Sequence, residues 1–505
     1  MRRGARASRS IATVLRTRSA GLVLAPLALL CLSGATARAA AGAHQRGAAL
    51  PHAHAAAMRG AAPARAHVAA VRSPAALPKV LRTLAHSGSL QTAELEGDLD
   101  EYRASVASLR GLSGTRAREL GAVIADAEAE AAAGAITPSR LPATMLTLHE
   151  NSWWWATQPL PAADAHVSTP GSELVWEYYP GQGIQIQWLA TFGDGNGFYL
   201  AGQNSKLRTL LAEVLPLAAE RAGGIAWEYQ FQFDGGKPPW TSALSQGTAL
   251  QLLARAYTRL QVPEYLQAAE RALAVFTVAP PAGVRVATPT GALYAQYTFA
   301  PSVHIINGFI QSLVGLWELT SLTKNPLGEQ LFEAGDAEAR TLLPRYNTGA
   351  WSLYDQYEES DLNYHELLTE FLVHLCERTS RGEPLEPTAA IVADELYCTT
   401  AQEFEADLRT PPAIALLSEK LAGGVRAGVQ ISLSKISIVH LTVRRGSTAV
   451  REVSAVLSRG DPRLLWVTPS SGGTFTVQVS ATDLAGNTAT TSGSITVKPA
   501  HRRRL

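Results

Sequence analysis

The chain has 505 residues, 46% of them hydrophobic and 17% charged, with 10 Trp, 14 Tyr and 11 Phe, a composition that forms cores and excludes wholesale disorder. The formal charge of +1 hides seven Arg in the first 39 residues; without them, 37 basic residues face 43 acidic ones, a net of −6. A chain of that balance carries no global field for nucleic acid, so an anionic ligand must be met by a local set of donors.

Residues 1–39 read as a secretory signal. Arg2, Arg3, Arg6, Arg9, Arg16 and Arg18 form a basic start, 21–32 is an apolar stretch too short to span a bilayer, and Ala37-Arg38-Ala39 offers a cleavage site. An uncut N-terminal anchor is the other reading. Leu30 is too large to precede a lipidated Cys31. The expectation is an exported protein, secreted or at the cell surface, with no membrane span once the signal is removed. Cys376 and Cys398 then remain, as one disulfide or as two buried thiols. Residues 40–78, rich in Ala, Arg and His, read as a disordered linker.

From 79 to 149 the spacing predicts leading helices: Leu95, Leu99, Tyr102, Val106 and Leu109 recur every three or four residues. Residues 150–235 are aromatic and glycine-rich, with Trp153-Trp154-Trp155, Trp176-Glu177-Tyr178-Tyr179, Phe192-Gly193-Asp194-Gly195-Asn196-Gly197 and Trp227-Glu228-Tyr229. They predict loops and short strands around a pocket, with one helix near 207–222. Periodic apolar spacing then predicts helices near 241–260, 263–277, 303–321, 327–343 and 362–378. Such a run of hairpins suggests an α/α toroid spanning 150–400, with an irregular helical domain as the alternative. Alternating residues such as Phe475, Val477, Val479 and Ala481 predict a small antiparallel sandwich over 409–498. Its Asp483-Leu484-Ala485-Gly486-Asn487 turn resembles the last hairpin of Ig-like modules. The basic tail at 499–505 reads as solvated. The expected fold class is therefore multidomain, mainly α with a C-terminal all-β unit.

Four stretches resemble the C-terminal domain of the D-glucuronyl C5-epimerase family, which inverts C5 of glucuronate within a glycosaminoglycan-type chain. They are Trp240-Thr241-Ser242-Ala243-Leu244-Ser245-Gln246-Gly247 with Arg255-Ala256-Tyr257, Ile306-Asn307-Gly308-Phe309-Ile310-Gln311, Trp351-Ser352-Leu353-Tyr354-Asp355, and Asn363-Tyr364-His365. The resemblance implies an acidic, uronate-containing polysaccharide as partner; nothing in the sequence indicates a nucleotide, flavin or metal cofactor. It also implies acid/base roles for Tyr364, Tyr297 and Tyr354, and it places Trp240, Gln246, Arg255, Asn307 and His365 on the substrate side. Where the family carries Glu-Glu-Tyr-Pro this chain has Ala295-Gln296-Tyr297-Thr298, and Tyr354-Asp355-Gln356-Tyr357 lacks the family's Arg.

Chemistry states the demand independently. Removing a proton α to a carboxylate creates a dianion that needs stabilising donors, and inversion needs an acid/base group on each face of the ring. A tyrosine acts as a base only if nearby charges pull its pKa down from about 10. Replacements for the missing groups are sought in Glu177, with Tyr178 beside it, and in Glu228 as carboxylates; Arg255, Arg221 or Lys237 could bind the substrate acid. A lyase or hydrolase on the same scaffold, the latter using Glu177 and Glu228, and a non-catalytic glycan binder are the competing readings. Gly193-x-Gly195-x-Gly197 follows no Val/Ile-rich strand and is rejected as a dinucleotide fingerprint.

Overall fold

The structure is a computed structural model that describes residues 76–380 and 387–500. The expected signal over 1–39, the linker up to residue 75 and the tail beyond 500 lie outside the described residues. Four helices come first, α1 (Ala76–His86), α2 (Thr92–Gly111), α3 (Gly114–Ala132) and α4 (Leu141–Thr157). A three-stranded antiparallel sheet follows, β1 (His166–Val167), β2 (Trp176–Tyr179) and β3 (Gly183–Ile186). Next come α5 (Trp188–Leu200), α6 (Asn204–Val214) and the hairpin β4 (Ala219–Arg221) with β5 (Gly224–Ala226). The epimerase-like stretches begin on α7 (Ala243–Leu260), followed by α8 (Pro263–Ala272) and the hairpin β6 (Arg285–Ala287) with β7 (Ala292–Tyr294). Helices α9 (Ile306–Thr323), α10 (Pro326–Tyr346), α11 (Leu362–Ser380) and α12 (Pro387–Asp407) complete the helical part. One continuous apolar core runs through it, from Leu77 to Phe404. Among the described residues no helix is long and apolar enough to cross a membrane.

Two elements correct the sequence expectations. Trp153-Trp154-Trp155 closes α4, and the Gly193–Gly197 run lies inside α5 rather than in a loop. Glycine disfavours a helix by up to about 1 kcal/mol per residue, but packing outweighs that here. A Cβ on Gly195 would stand 2.6 Å from Leu252 Cδ2 and 2.8 Å from Leu210 Cδ2, so a side chain there would have to displace both leucine ends where α5 meets α6 and α7. The predicted helix at 207–222 ends early, at Val214.

The α7–α9 contact is built in the same manner. A Cβ on Gly247 would lie 2.7 Å from Ser312 Cα, and one on Gly315 would collide with the Gly247 carbonyl oxygen. These atoms are backbone and cannot rotate away. Gly315→Ala is therefore expected to cost about 1–3 kcal/mol or more by overpacking, read as a lowered Tm, despite alanine's better helix propensity.

From Ile414 the chain is β. A three-stranded sheet has the order β13-β10-β8 and a five-stranded sheet the order β12-β11-β14-β15-β9. The strands are β8 (Ile414–Leu416), β9 (Lys420–Ala422), β10 (Arg426–Leu433), β11 (Ser437–Arg445), β12 (Thr448–Leu457), β13 (Arg463–Val467), β14 (Gly473–Asp483) and β15 (Thr488–Lys498). Pairing is antiparallel except for β15 with β9. The alternation of β14 buries Phe475, Val477, Val479 and Ala481 against Val429, Ile431 and Trp466 of the other sheet.

Candidate functional site

The site forms where five segments converge: β2, the 227–240 loop, the 295–299 turn after β7, the 351–360 loop and the start of α11. Tyr297, Tyr354 and Tyr364 come together. The Tyr354 and Tyr364 rings lie 4.6 Å apart, and the Tyr354 hydroxyl is hydrogen-bonded to those of Tyr297 and Tyr364. Tyr364 is 38% exposed and stands at the mouth, whereas Tyr354 is buried. Behind them Trp240, 4% exposed, stacks on Tyr229 at 4.2 Å and on Phe233 at 5.7 Å and meets Tyr297 edge-on at 5.7 Å, so it packs the cluster from within and does not present a face to substrate.

Glu177 joins this cluster. Its carboxylate accepts from the Tyr179 hydroxyl at 3.0 Å and from Gln187 Nε2 at 2.7 Å, with His166 Nε2 at 3.5 Å. The Tyr229 hydroxyl donates to Gln187 Oε1 at 3.2 Å, which ties the 227–240 loop to the same network. The carboxylate is thus held as an acceptor by polar groups, near enough to Tyr364 for its charge to raise that phenol.

All three phenols are shifted upward, so none meets the condition set above for a tyrosine base. Although part of the residue is exposed, desolvation around its hydroxyl pushes Tyr364 up to about 12, helped by Asp361, Glu177 and Asp164 and opposed by the hydrogen bond with Tyr354. Burial also raises Tyr297, with Tyr364 and Asp234 adding to it, and it raises Tyr354 well above the usual range. The charges that bear on the trio most are negative, so near neutrality the phenols are proton donors and not bases.

The other sequence-derived residues fall in different places. Tyr178 points to the opposite face of β2, where its hydroxyl donates to Glu119 Oε1 at 3.1 Å; strand alternation puts Tyr179, not Tyr178, beside Glu177. Glu228 is no free carboxylate. Arg140 binds it through Nε to Oε2 at 2.5 Å and Nη2 to Oε1 at 3.0 Å, and Arg221 Nη1 also donates to Oε1, which removes Arg221 as a substrate clamp too. Arg255 is buried against Glu318, with Nη2 at 3.1 Å from Oε2, and its Nη1 donates to Asn196 Oδ1 at 2.9 Å. Gln246 is spent on the Trp227 backbone, donating to its carbonyl at 2.9 Å. Lys237 is exposed.

His365 is fully buried and stacks on Trp351 at 3.7 Å. Its Nδ1 accepts from Ser352 N at 3.2 Å and its Nε2 faces the Phe404 carbonyl at 3.1 Å, which fixes the proton on Nε2. Burial lowers its pKa to about 4, so it is a neutral brace rather than a substrate ligand. Asn307 donates from Nδ2 to the Tyr364 carbonyl at 2.8 Å and so positions that residue from α9. The Oε1 of Gln296 and the Oδ1 of Asn307 are buried without a hydrogen-bond partner among the described residues. Cys376 and Cys398 form a disulfide joining α11 to α12, which decides between the two readings of that pair.

Next to Glu228 lies a second acidic group. Both carboxyl oxygens of Glu130 are buried without partners among the described residues, as is Asp126 Oδ2. Burial, with Glu228 and Asp126 nearby, raises Glu130 from 4.5 to about 8, and burial raises Asp126 to about 7. A carboxyl raised in the folded state contributes stability that is complete below about 4.5 and is lost as pH rises through about 8. Glu130→Gln removes that dependence, so the variant's Tm relative to the parent should climb between pH 5 and pH 8.

Residues 222–385 match the family described as D-glucuronyl C5-epimerase C-terminus. The matched segment contains Tyr297, Tyr354 and Tyr364 but not Glu177. A D-glucuronyl C5-epimerase of Caenorhabditis elegans is 32% identical over 131 residues, 23% of this chain and 21% of that protein. An uncharacterized protein of Methanocaldococcus jannaschii is 28% identical over 138 residues, 26% of this chain and 45% of the other. The chain thus spans less than half the length of either curated relative. A solved sugar epimerase from a ruminal bacterium shares 11% identity, over 44% of this chain and 59% of that one, at a TM-score of 0.32, too low to bear on the fold.

The residues that sequence reasoning missed are Tyr179, Gln187 and Tyr229. A signal for the first was available: counting by twos along Trp176–Tyr179 puts Tyr179 on the face of Glu177. Gln187 and Tyr229 reach the site only through tertiary packing.

Proposed function

We propose that this chain is an exported polysaccharide uronate 5-epimerase in which Glu177 and Tyr364 exchange the C5 proton. One observation carries the reading: a hydrogen-bonded carboxylate and a group of neutral phenols lie in one aromatic cluster within or beside the epimerase-like segment. Glu177 takes the proton from C5, and the C–H electron pair passes into the substrate carboxylate as an aci-anion. The hydroxyls of Tyr297 and Tyr354 donate to that anion in place of the missing Arg, as neutral donors with high pKa values do in a dry site. Tyr364 then delivers its proton to the opposite face, and solvent at the mouth returns a proton to the tyrosinate and removes one from Glu177. Helices α7 to α12 are read as arcs of an α/α toroid around this cleft.

The second reading, a glycan-binding relative without turnover, is favoured by Gln296 at the place of a family acid and by the negative surroundings of the trio. Incubating the purified chain with a panel of uronate polysaccharides and following C5 configuration by NMR decides between them. Inverted residues support the epimerase. An unsaturated product would indicate a lyase, and binding with no change would indicate the binder.

A further inference from the structure

The β region is joined to the site by buried polar contacts. The turn between β10 and β11 inserts Lys435, 1% exposed, beneath the loop that carries Tyr354. Its Nζ lies 2.8 Å from Asp483 Oδ2, donates to the carbonyls of Asp407 at 2.7 Å and Thr410 at 2.6 Å, and sits 5.1 Å from the Trp351 ring centre. Trp351 carries His365 on its ring, and His365 directly follows Tyr364.

A second tie runs beside the first. Glu359 Oε1 accepts from Ile436 N at 3.1 Å and Oε2 from Arg459 N at 3.0 Å, so a single carboxylate of the site loop caps two β-region amides. That loop is closed on itself by Tyr354 N to Glu358 O at 2.8 Å and by Ser352 Oγ to Ser360 Oγ at 2.9 Å. The Tyr354 carbonyl in turn accepts from Ile306 N, at the start of α9. A shift at either tie therefore moves Tyr354, and through Trp351 and His365 it moves Tyr364.

We propose that Lys435 and Glu359 are positioning residues for the tyrosine cluster, and that the β region sets the geometry of the site instead of serving as an appended spacer. This rests on the function proposed above. The carboxylate and the two carbonyls fix the buried ammonium from 407–410 and 483, the Trp351 ring of the 351–365 segment packs over it, and Glu359 supplies that segment's hydrogen bonds to the β region.

The test uses the full chain with Glu359→Gln, with Lys435→Met/Asp483→Asn, which removes both buried charges together, and with Lys435→Arg. Backbone hydrogen exchange by mass spectrometry reads residues 351–365 independently of activity, and steady-state C5 exchange separates kcat from KM. The expected result is roughly tenfold faster hydrogen exchange in 351–365, with 176–187 unchanged. A kcat lowered about tenfold or more at a KM within about threefold should accompany it, with partial recovery in Lys435→Arg. Unchanged kcat in a folded variant overturns the proposal, as does unchanged protection of 351–365. Should the double variant not fold, Glu359→Gln decides alone. If the parent shows no C5 exchange, the epimerase reading fails by itself; protection of 351–365 still supports or overturns the coupling.

Discussion

Tyr364→Phe is expected to lower C5 inversion by about 10²–10⁴-fold, the usual contribution of a positioned acid or base, while leaving KM nearly unchanged and leaving Glu177 able to exchange the C5 proton on its own face. Phenylalanine keeps the ring that lies 4.6 Å from Tyr354 and the backbone carbonyl that Asn307 holds, so the loss is confined to one O–H. Glu177→Gln should fall by a similar factor for a different reason. The amide retains one acceptor oxygen for Tyr179 or Gln187 but cannot take a proton, and its NH₂ opposes the donors that surround it. Because both residues act in one proton relay, the double variant should be little worse than either single one. A Tyr364→Phe enzyme that keeps more than about half of parental turnover would contradict the assignment.

The largest stability loss is expected at Glu318. This carboxylate on α9 receives Arg255 from α7 and Arg378 from α11, the latter through Nη2 at 2.9 Å, and Gln251 donates to it at 2.7 Å. Burial alone would raise its pKa, but the two guanidinium groups outweigh that and hold it below 4.5. Glu318→Ala leaves two buried cations facing each other, which should cost about 3–5 kcal/mol, a large share of a typical domain's stability. Chemical denaturation measures it. The pH sign is opposite to that of Glu130: the Glu318 contribution is present above its unfolded pKa and is lost as pH falls through the lowered folded value. Acid should therefore weaken the α7–α9–α11 junction, whereas alkali should weaken the packing around Glu130.

Helices α7 to α11 were legible because their apolar spacing and their Gly and Pro boundaries agree, and β14 was legible because one face is buried and the other wet. The Gly193–Gly197 run misled because propensity is local, whereas the reason for Gly195 is Leu252, far along the chain. Arg255 was misassigned on similar grounds: it was a candidate to replace the family's missing Arg, and nothing local marks Glu318, 63 residues away, as its partner. The tyrosine trio followed from the family resemblance, which ended at the matched segment. Glu177 needed its own chemistry to be noticed, and its true neighbours came only with the fold. The tie between the β region and the Tyr354 loop was invisible, because a buried Lys435 looks like any strand-end lysine in a sequence.

The central claim is that Glu177 and the tyrosine trio move a proton at C5 of a uronate. It is tested most directly by incubating the purified chain with uronate-containing polysaccharide in deuterated water and reading C5 by NMR. The account predicts deuterium at C5 together with inverted configuration, the inversion lost in Tyr364→Phe. Tight binding of the same polymers with no deuterium at C5 would contradict it.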